Sequence, residues 1–163
     1  MLVVDTSALI SLAVGDALDP VLAEYDVITT QTVWEELEAT ADYDDRHGDG
    51  AATVLGSEDA FSIVETQAEA FETSRIDAGE ASCVAATRTR DTPFLVTDDY
   101  RALPELQELV DAEVVLSPIV LRALVKRGTW SEQRAQTAFE KIAEGRDWLG
   151  APIYRYARQL FED

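Results

Sequence analysis

The sequence has little cysteine, histidine or lysine, and each scarcity excludes a class of site. Its single cysteine, Cys83, cannot form an internal disulfide, and no Cys/His cluster has the spacing of a zinc site. Its single histidine, His47, has no serine or cysteine arrangement near it that would form a catalytic triad. The 32 aspartates and glutamates are therefore the most numerous candidates for chemistry.

Long apolar runs are also absent, so the sequence predicts no membrane-spanning helix. The opening residues, Met1 to Asp5, lack the basic region with which a signal peptide begins. A single cysteine is typical of the reducing cytosol. We therefore expect a cytoplasmic protein without membrane contact.

Lysine occurs only at Lys126 and Lys141, and the formal net charge is -19. Regular apolar runs argue against a disordered acidic chain. At about 1 M salt, charges are screened within ~3 Å, so this acidity is tolerated there. We interpret the composition as adaptation to high internal salt, as in halophilic archaea. The acidity then reflects the salt of the habitat more than the charge of a binding partner.

Short apolar runs alternate with helical patterns along the chain. The predicted strands cover residues 2–4, 25–28, 61–64, 94–97 and 114–116. A surface loop that could include a short helix is predicted at 42–59, and a short helix at 67–74. This alternation predicts an α/β fold, a three-layer α/β/α domain with a central parallel sheet of about five strands. At 163 residues we expect one domain, with a core over about 1–117 and a C-terminal helical extension over about 118–163.

Two adjacent carboxylates, Asp98 and Asp99, follow the strand that begins at Phe94. Ligands of α/β sheets usually bind at the carboxyl ends of the strands. Neighbouring charges repel, so a cation or solvent should compensate for them. Asp5 follows the first strand in the same way, and would meet Asp98 if the two strands are neighbours. Proximity to the strand favours Asp98 as the residue nearer a cation.

Two further carboxylate positions lie on predicted helices. Glu36 borders the apolar face formed by Val33 and Leu37, although it could also be a solvated helix residue. Asp77 precedes a helix that has Glu80 in its first turn, and helix capping alone would explain both residues.

Carboxylate oxygens without histidine or thiol suit Mg²⁺ or Mn²⁺. Such a metal, or a pair ~3.5–4 Å apart, can generate hydroxide and stabilise an in-line phosphoryl displacement. The hydroxyls of Thr6, Ser7 and Thr97 could orient the carboxylates. A phosphatase typically has Asp-x-Asp at the first strand, and this sequence lacks that motif.

Four motifs, in this order, resemble the PIN-domain family. They are Val3-Val4-Asp5-Thr6-Ser7, Val33-x-x-Glu36-Leu37, Gly79-Glu80-Ala81 followed by Ala85-Ala86, and Leu95-Val96-Thr97-Asp98-Asp99. Each motif alone is common, but all four together over about residues 2–117 are specific. The resemblance implies a metal-dependent endoribonuclease with an acidic pocket.

The resemblance also implies the site residues and the partners. The catalytic carboxylates would be Asp5, Glu36, Glu80, Asp98 and Asp99, all except Glu36 as metal ligands, with Ser7, Thr97 and Asp77 in support. The commoner family spacing from threonine favours Asp99 over Asp98. RNA would be the substrate, and many PIN domains are toxins paired with a small antitoxin of the VapBC type. The alternative is a catalytically silent RNA-binding or regulatory protein on the same fold.

Two surface features suggest macromolecular contacts. Arginines suit phosphate binding, although each basic residue could simply balance local acids. The candidates are Arg88, Arg90, Arg101, Arg122, Lys126 and Arg127.

Aromatic residues of the final helices favour a homodimer, unless they only close the core of one subunit. They are Trp130, Phe139, Trp148, Tyr154, Tyr156 and Phe161.

Overall fold

A parallel sheet of five strands, in the order β3-β2-β1-β4-β5, forms the centre of the protein. The structure is a computed structural model that describes residues 1–67, 71–73 and 75–162. The strands are β1 (Leu2–Val4), β2 (Val27–Thr30), β3 (Ser62–Val64), β4 (Phe94–Val96) and β5 (Glu113–Val115). The helix predicted at 67–74 includes residues 68–70 and 74, which lie outside the described residues.

Helices cover both faces of the sheet. Every residue of β1 and β2 is buried, and because consecutive strand residues point to opposite faces, both faces must be covered. The helices of the described residues are α1 (Thr6–Val14), α2 (Leu18–Glu24), α3 (Gln31–Thr40), α4 (Arg46–Leu55), α5 (Ala78–Arg90), α6 (Leu103–Leu109), α7 (Ser117–Lys126), α8 (Glu132–Gly145) and α9 (Pro152–Arg158). The predicted three-layer α/β/α fold is confirmed.

The segment 42–59, predicted as a surface loop that could include a short helix, has a ten-residue helix, α4, at its centre. The carboxylate of Asp45 caps this helix by accepting a hydrogen bond from the Gly48 amide at 2.8 Å. Ala51 and Val54 are buried against the core. Packing of these two side chains therefore outweighs the low helix propensity of the glycines in this segment.

The C-terminal helices share the hydrophobic core of the sheet. Trp130, Phe139 and Trp148 are buried, and the Phe139 ring stacks on Tyr154 and Phe161 with centroid distances of 5.6 and 4.7 Å. These contacts fit the interpretation that the aromatic residues close the core of one subunit, except for Tyr156, which is exposed. The homodimer stays a prediction.

No single helix of the described residues is long and apolar enough to cross a membrane. The consecutive helices α1 and α2 meet the criteria of length and composition only as a pair, across a bend of 115°.

Strands β1 and β4 are neighbours, which is the condition for Asp5 and Asp98 to lie close together. Val4 lies opposite Val96, and the Asp5 amide donates to the Val96 carbonyl at 3.0 Å. The residues after the two strands, Asp5 and Thr97, are therefore adjacent at the carboxyl edge of the sheet. The candidate site lies at this edge.

Candidate functional site

A cavity of about 420 Å³ opens at the carboxyl edge of β1 and β4. Five carboxylates and one cation line it, together with small polar and apolar residues. The lining residues are Asp5, Glu36, Asp77, Glu80, Asp99, Arg146, Thr6, Ser7, Thr40, Ile10 and Ala39. The cavity thus gathers residues that are separated by up to 141 positions in the sequence, because the parallel topology brings the strand ends and helix starts together.

Asp5 is buried, and both oxygens of its carboxylate accept hydrogen bonds. It caps α1, and its Oδ1 accepts hydrogen bonds from Ser7 Oγ at 2.8 Å and from the Ala8 amide at 3.1 Å. Its Oδ2 accepts a hydrogen bond from Thr97 Oγ1 at 2.5 Å. Burial raises the pKa of Asp5 to about 7, although these hydrogen bonds oppose the shift. Ser7 and Thr97 therefore fix the orientation of this carboxylate.

Glu80 has one satisfied and one unsatisfied carboxylate oxygen. Its Oε1 accepts from the Asp77 amide at 3.0 Å while the Glu80 amide donates to Asp77 Oδ1 at 2.9 Å, which completes a capping box. Its Oε2 is buried and has no hydrogen-bond partner among the described residues. Burial first, and then the neighbouring Asp99 carboxyl, raise the pKa of Glu80 to about 9. Helix capping therefore explains the position of Oε1 but not the burial of Oε2.

Glu36 reaches the cavity from α3 and is half-buried. Its Oε1 accepts a hydrogen bond from Thr6 Oγ1 at 2.5 Å, and burial raises its pKa. The backbone of Gly79 lies against this carboxylate, so close that a Cβ at position 79 would stand 2.2 Å from Glu36 Oε1. A glycine at this position is therefore needed to hold Glu36 where it is.

The adjacent residues Asp98 and Asp99 have different surroundings. Asp98 is buried, is absent from the cavity lining, and accepts hydrogen bonds from the Ser117 amide and hydroxyl, both at 2.7 Å. Asp99 lines the cavity, and its Oδ1 accepts from the Ala102 amide at 3.3 Å. Ser117 thus holds Asp98 outside the cavity lining, and which aspartate lies nearer a cation stays a prediction.

None of the predicted RNA-facing basic residues lines this cavity. The Arg88 guanidinium donates to the Leu109 carbonyl at 3.1 and 2.5 Å. Arg122 and Arg127 pair with Glu132 at 3.6 Å and with Glu24 at 3.4 Å. Arg90, Arg101 and Lys126 are exposed.

The cation that lines the cavity, Arg146, was missed by the sequence analysis. It follows α8 in the predicted C-terminal extension. No sequence motif links it to the acidic residues, because its position depends on how α8 packs on the sheet. The only sequence signal for Arg146 is its position beside a glycine at the end of an amphipathic helix.

A parallel sheet whose carboxyl edge opens on a carboxylate-lined cavity defines an α/β domain with an acidic site. A family model for PIN domains, DUF3368, matches residues 1–163. The chain therefore belongs to the PIN-domain family. PIN domains are generally nucleases that bind nucleic acids and typically use divalent metals. A comparison with curated proteins gave no match.

The cavity carboxylates fit a divalent cation by their chemistry. The donors are oxygens only, which suits Mg²⁺ or Mn²⁺. Glu80 Oε2 lacks a donor and Glu80 lies beside a second carboxyl, Asp99, so a cation between the two groups would offset the charge of both. In the described part of the chain, no group of three or more acidic, histidine or cysteine side chains already has the arrangement of a metal site.

The metal-free protein should lose stability as the pH rises. Asp5 and Glu80 have folded-state pKa values raised to about 7 and about 9, so their contribution is complete below about pH 4 and is lost as the pH rises through these values. Thermal denaturation in EDTA should therefore give a melting temperature that falls between about pH 5 and about pH 8. Mn²⁺ should reduce this fall, because it stabilises the ionised carboxylates. Glu80→Gln should show a smaller fall in EDTA; a fall equal to that of wild type would contradict the assignment.

Gly79→Ala should weaken the site by displacing the carboxylate of Glu36. The new Cβ leaves no room for Glu36 Oε1 in its present position, and loss of a supporting contact typically costs ~10–100-fold in metal affinity or activity. Titration with Mn²⁺ measures the effect. Gly56→Ala is the matched control, because a Cβ there meets nothing closer than 3.5 Å. Equal Mn²⁺ affinity of the two variants would show that the position of Glu36 is unimportant.

Proposed function

We propose that the protein is a Mg²⁺- or Mn²⁺-dependent endoribonuclease that hydrolyses RNA phosphodiester bonds in this cavity. The observation that carries the proposal is the buried Glu80 Oε2, which has no donor among the described residues and lies beside Asp99 in a carboxylate-lined cavity. A helix cap needs neither the second carboxyl nor the cavity. Family membership supports the nuclease class.

Each cavity residue has a role in the proposal. Asp5, Glu80 and Asp99 would hold the cation, and Glu36 would complete the acidic site. A divalent cation would supply Lewis acidity, which activates a water and offsets charge on the phosphodiester. Ser7, Thr97 and Asp77 orient Asp5 and Glu80 through the hydrogen bonds described above. Asp98 would have a structural role, because Ser117 holds it outside the cavity lining, whereas Asp5 is part of that lining.

Incubation of the purified protein with a mixed-sequence RNA tests the proposal. We expect cleavage with Mn²⁺ or Mg²⁺ and none with EDTA. DNA of the same sequence serves as the comparison substrate. Retention of intact RNA by the protein under all these conditions would instead favour the catalytically silent RNA-binding protein, for which the absence of a ready-made metal arrangement among the described residues is the supporting observation.

We propose the toxin role and the homodimer as finer assignments. A small antitoxin encoded in a neighbouring reading frame should relieve growth arrest when it is produced together with this protein. Light scattering after size-exclusion chromatography should give twice the 17.9 kDa mass of the chain. Growth that is unaffected by expression of the protein alone would argue for an RNA-processing role.

A further inference from the structure

Arg146 is the one cation among the described residues that line the acidic cavity. It shares this lining with five carboxylates, including Asp5 and Asp99. A guanidinium at this place needs an explanation, because a divalent cation would have to bind close to it.

Close helix packing holds Arg146 in the cavity. It directly follows Gly145, the last residue of α8. A Cβ at Gly145 would lie 2.5 Å from Val14 Cγ1, so the end of α8 rests directly on α1, the helix that Asp5 caps. The Arg146 amide also donates to the Ile142 carbonyl at 2.8 Å. The backbone that carries Arg146 is therefore anchored to the same helix that begins at the site.

The guanidinium has no protein partner within the ranges that the structure describes. No carboxylate there lies within 4.0 Å of it, as an ion pair would require, and its buried Nε has no hydrogen-bond partner. Burial lowers the pKa of Arg146, while nearby Asp98 and Asp5 oppose this effect. Arg146 is half-buried, and a buried arginine donor such as its Nε is normally paired, so one donor of this side chain is left without a partner.

Arg146 acts on Asp98 and Asp5 only through its charge, because these two carboxylates already have hydrogen-bond donors. Donors from Ser117 satisfy both oxygens of Asp98. Asp5 also receives hydrogen bonds on both oxygens. Neither residue needs the guanidinium as a donor, so the donors of Arg146 remain available to a ligand in the cavity.

We propose that Arg146 binds a non-bridging oxygen of the RNA phosphodiester that enters the cavity. This assignment rests on the proposed ribonuclease function. A guanidinium presents paired N–H groups that match two phosphate oxygens. It would supply positive charge from the protein on the substrate side of an acidic site, where an isolated phosphate would otherwise be repelled. Arg146 would thus be a catalytic residue that the C-terminal segment contributes.

The test compares Arg146→Ala and Arg146→Lys with wild type, using Arg155→Ala as the matched control. Arg155 is exposed on α9, so the control removes the same charge from the same segment. We expect Arg146→Ala to lower kcat/KM for RNA cleavage ~100-fold, as loss of a transition-state donor typically does. Arg146→Lys should recover part of this loss. Mn²⁺ affinity without RNA should stay equal or increase, because a positive charge has been removed near the carboxylates.

RNA binding to Asp5→Asn protein, with and without Arg146→Ala, separates this assignment from the proposed function. If wild type cleaves RNA and Arg146→Ala cleaves equally well, only the arginine assignment is overturned. If wild type binds RNA without cleavage, the ribonuclease proposal fails, and weaker binding caused by Arg146→Ala alone would still support the phosphate contact. If Arg146→Ala lowers Mn²⁺ affinity or the melting temperature in parallel with cleavage, Arg146 has a structural role and the phosphate contact is overturned. Absence of both RNA binding and cleavage would overturn both proposals.

Discussion

Replacing Asp5 with asparagine is expected to reduce Mn²⁺-dependent RNA cleavage at least ~100-fold, since loss of an inner ligand should exceed the 10–100-fold effect of an outer contact. The protein should remain folded. Asparagine preserves the size of the side chain and one acceptor oxygen, and it removes a buried carboxyl whose pKa is raised to about 7. The melting temperature in EDTA near neutral pH should therefore be equal to that of wild type or higher.

Asp111→Asn provides the matched control for this loss. It removes one acidic charge from an exposed position outside the cavity lining. Cleavage assays and Mn²⁺ titration of the two variants should distinguish the loss of a site carboxylate from the loss of one negative charge elsewhere on the protein. Wild-type cleavage by a folded Asp5→Asn variant would refute the carboxylate site.

Replacing Asp98 with alanine is expected to destabilise the protein by about 3 kcal/mol, because the buried Ser117 amide and hydroxyl both lose their acceptor. Asp98→Asn should cost less, since its amide group can still accept from the Ser117 amide. Asp99→Asn should instead abolish cleavage and leave the free energy of unfolding nearly unchanged, because Asp99 is half-buried and faces the cavity.

Chemical denaturation and cleavage assays of these three variants measure the difference between the two neighbouring aspartates. The account requires a stability defect at position 98 and an activity defect at position 99. A stable Asp98→Ala protein that no longer binds Mn²⁺ would reverse the assignment and support strand proximity as the better guide.

Much of the fold could be predicted because its determinants are local. The run Leu2–Val4 is apolar and is followed by Asp5, which caps the next helix. The capping box of Asp77 and Glu80 marks the start of α5 in the same way. Repeated alternation of such signals permits few topologies other than a parallel sheet. The sequence left the pairing of β1 and β4 as a condition, and the strand order of the structure meets it.

The remaining features depend on contacts between distant segments. Asp98 and Asp99 cannot be ranked from their own sequence, because Ser117, on another helix, decides which one is held away from the cavity. The helix α4 forms through burial of Ala51 and Val54, although its glycines favour a loop. Arg146 reaches the cavity only because α8 packs on α1. Side-chain function at this site is thus set by tertiary packing.

The most direct test of the central claim is a crystal structure of the protein grown with Mn²⁺, with anomalous scattering used to locate the metal. The account predicts an anomalous peak in the cavity, bound by oxygens of Asp5, Glu80 and Asp99, with Asp98 still paired to Ser117. A peak bound by Asp98, or a cavity without a peak while Mn²⁺ binds exposed acids elsewhere, would contradict it.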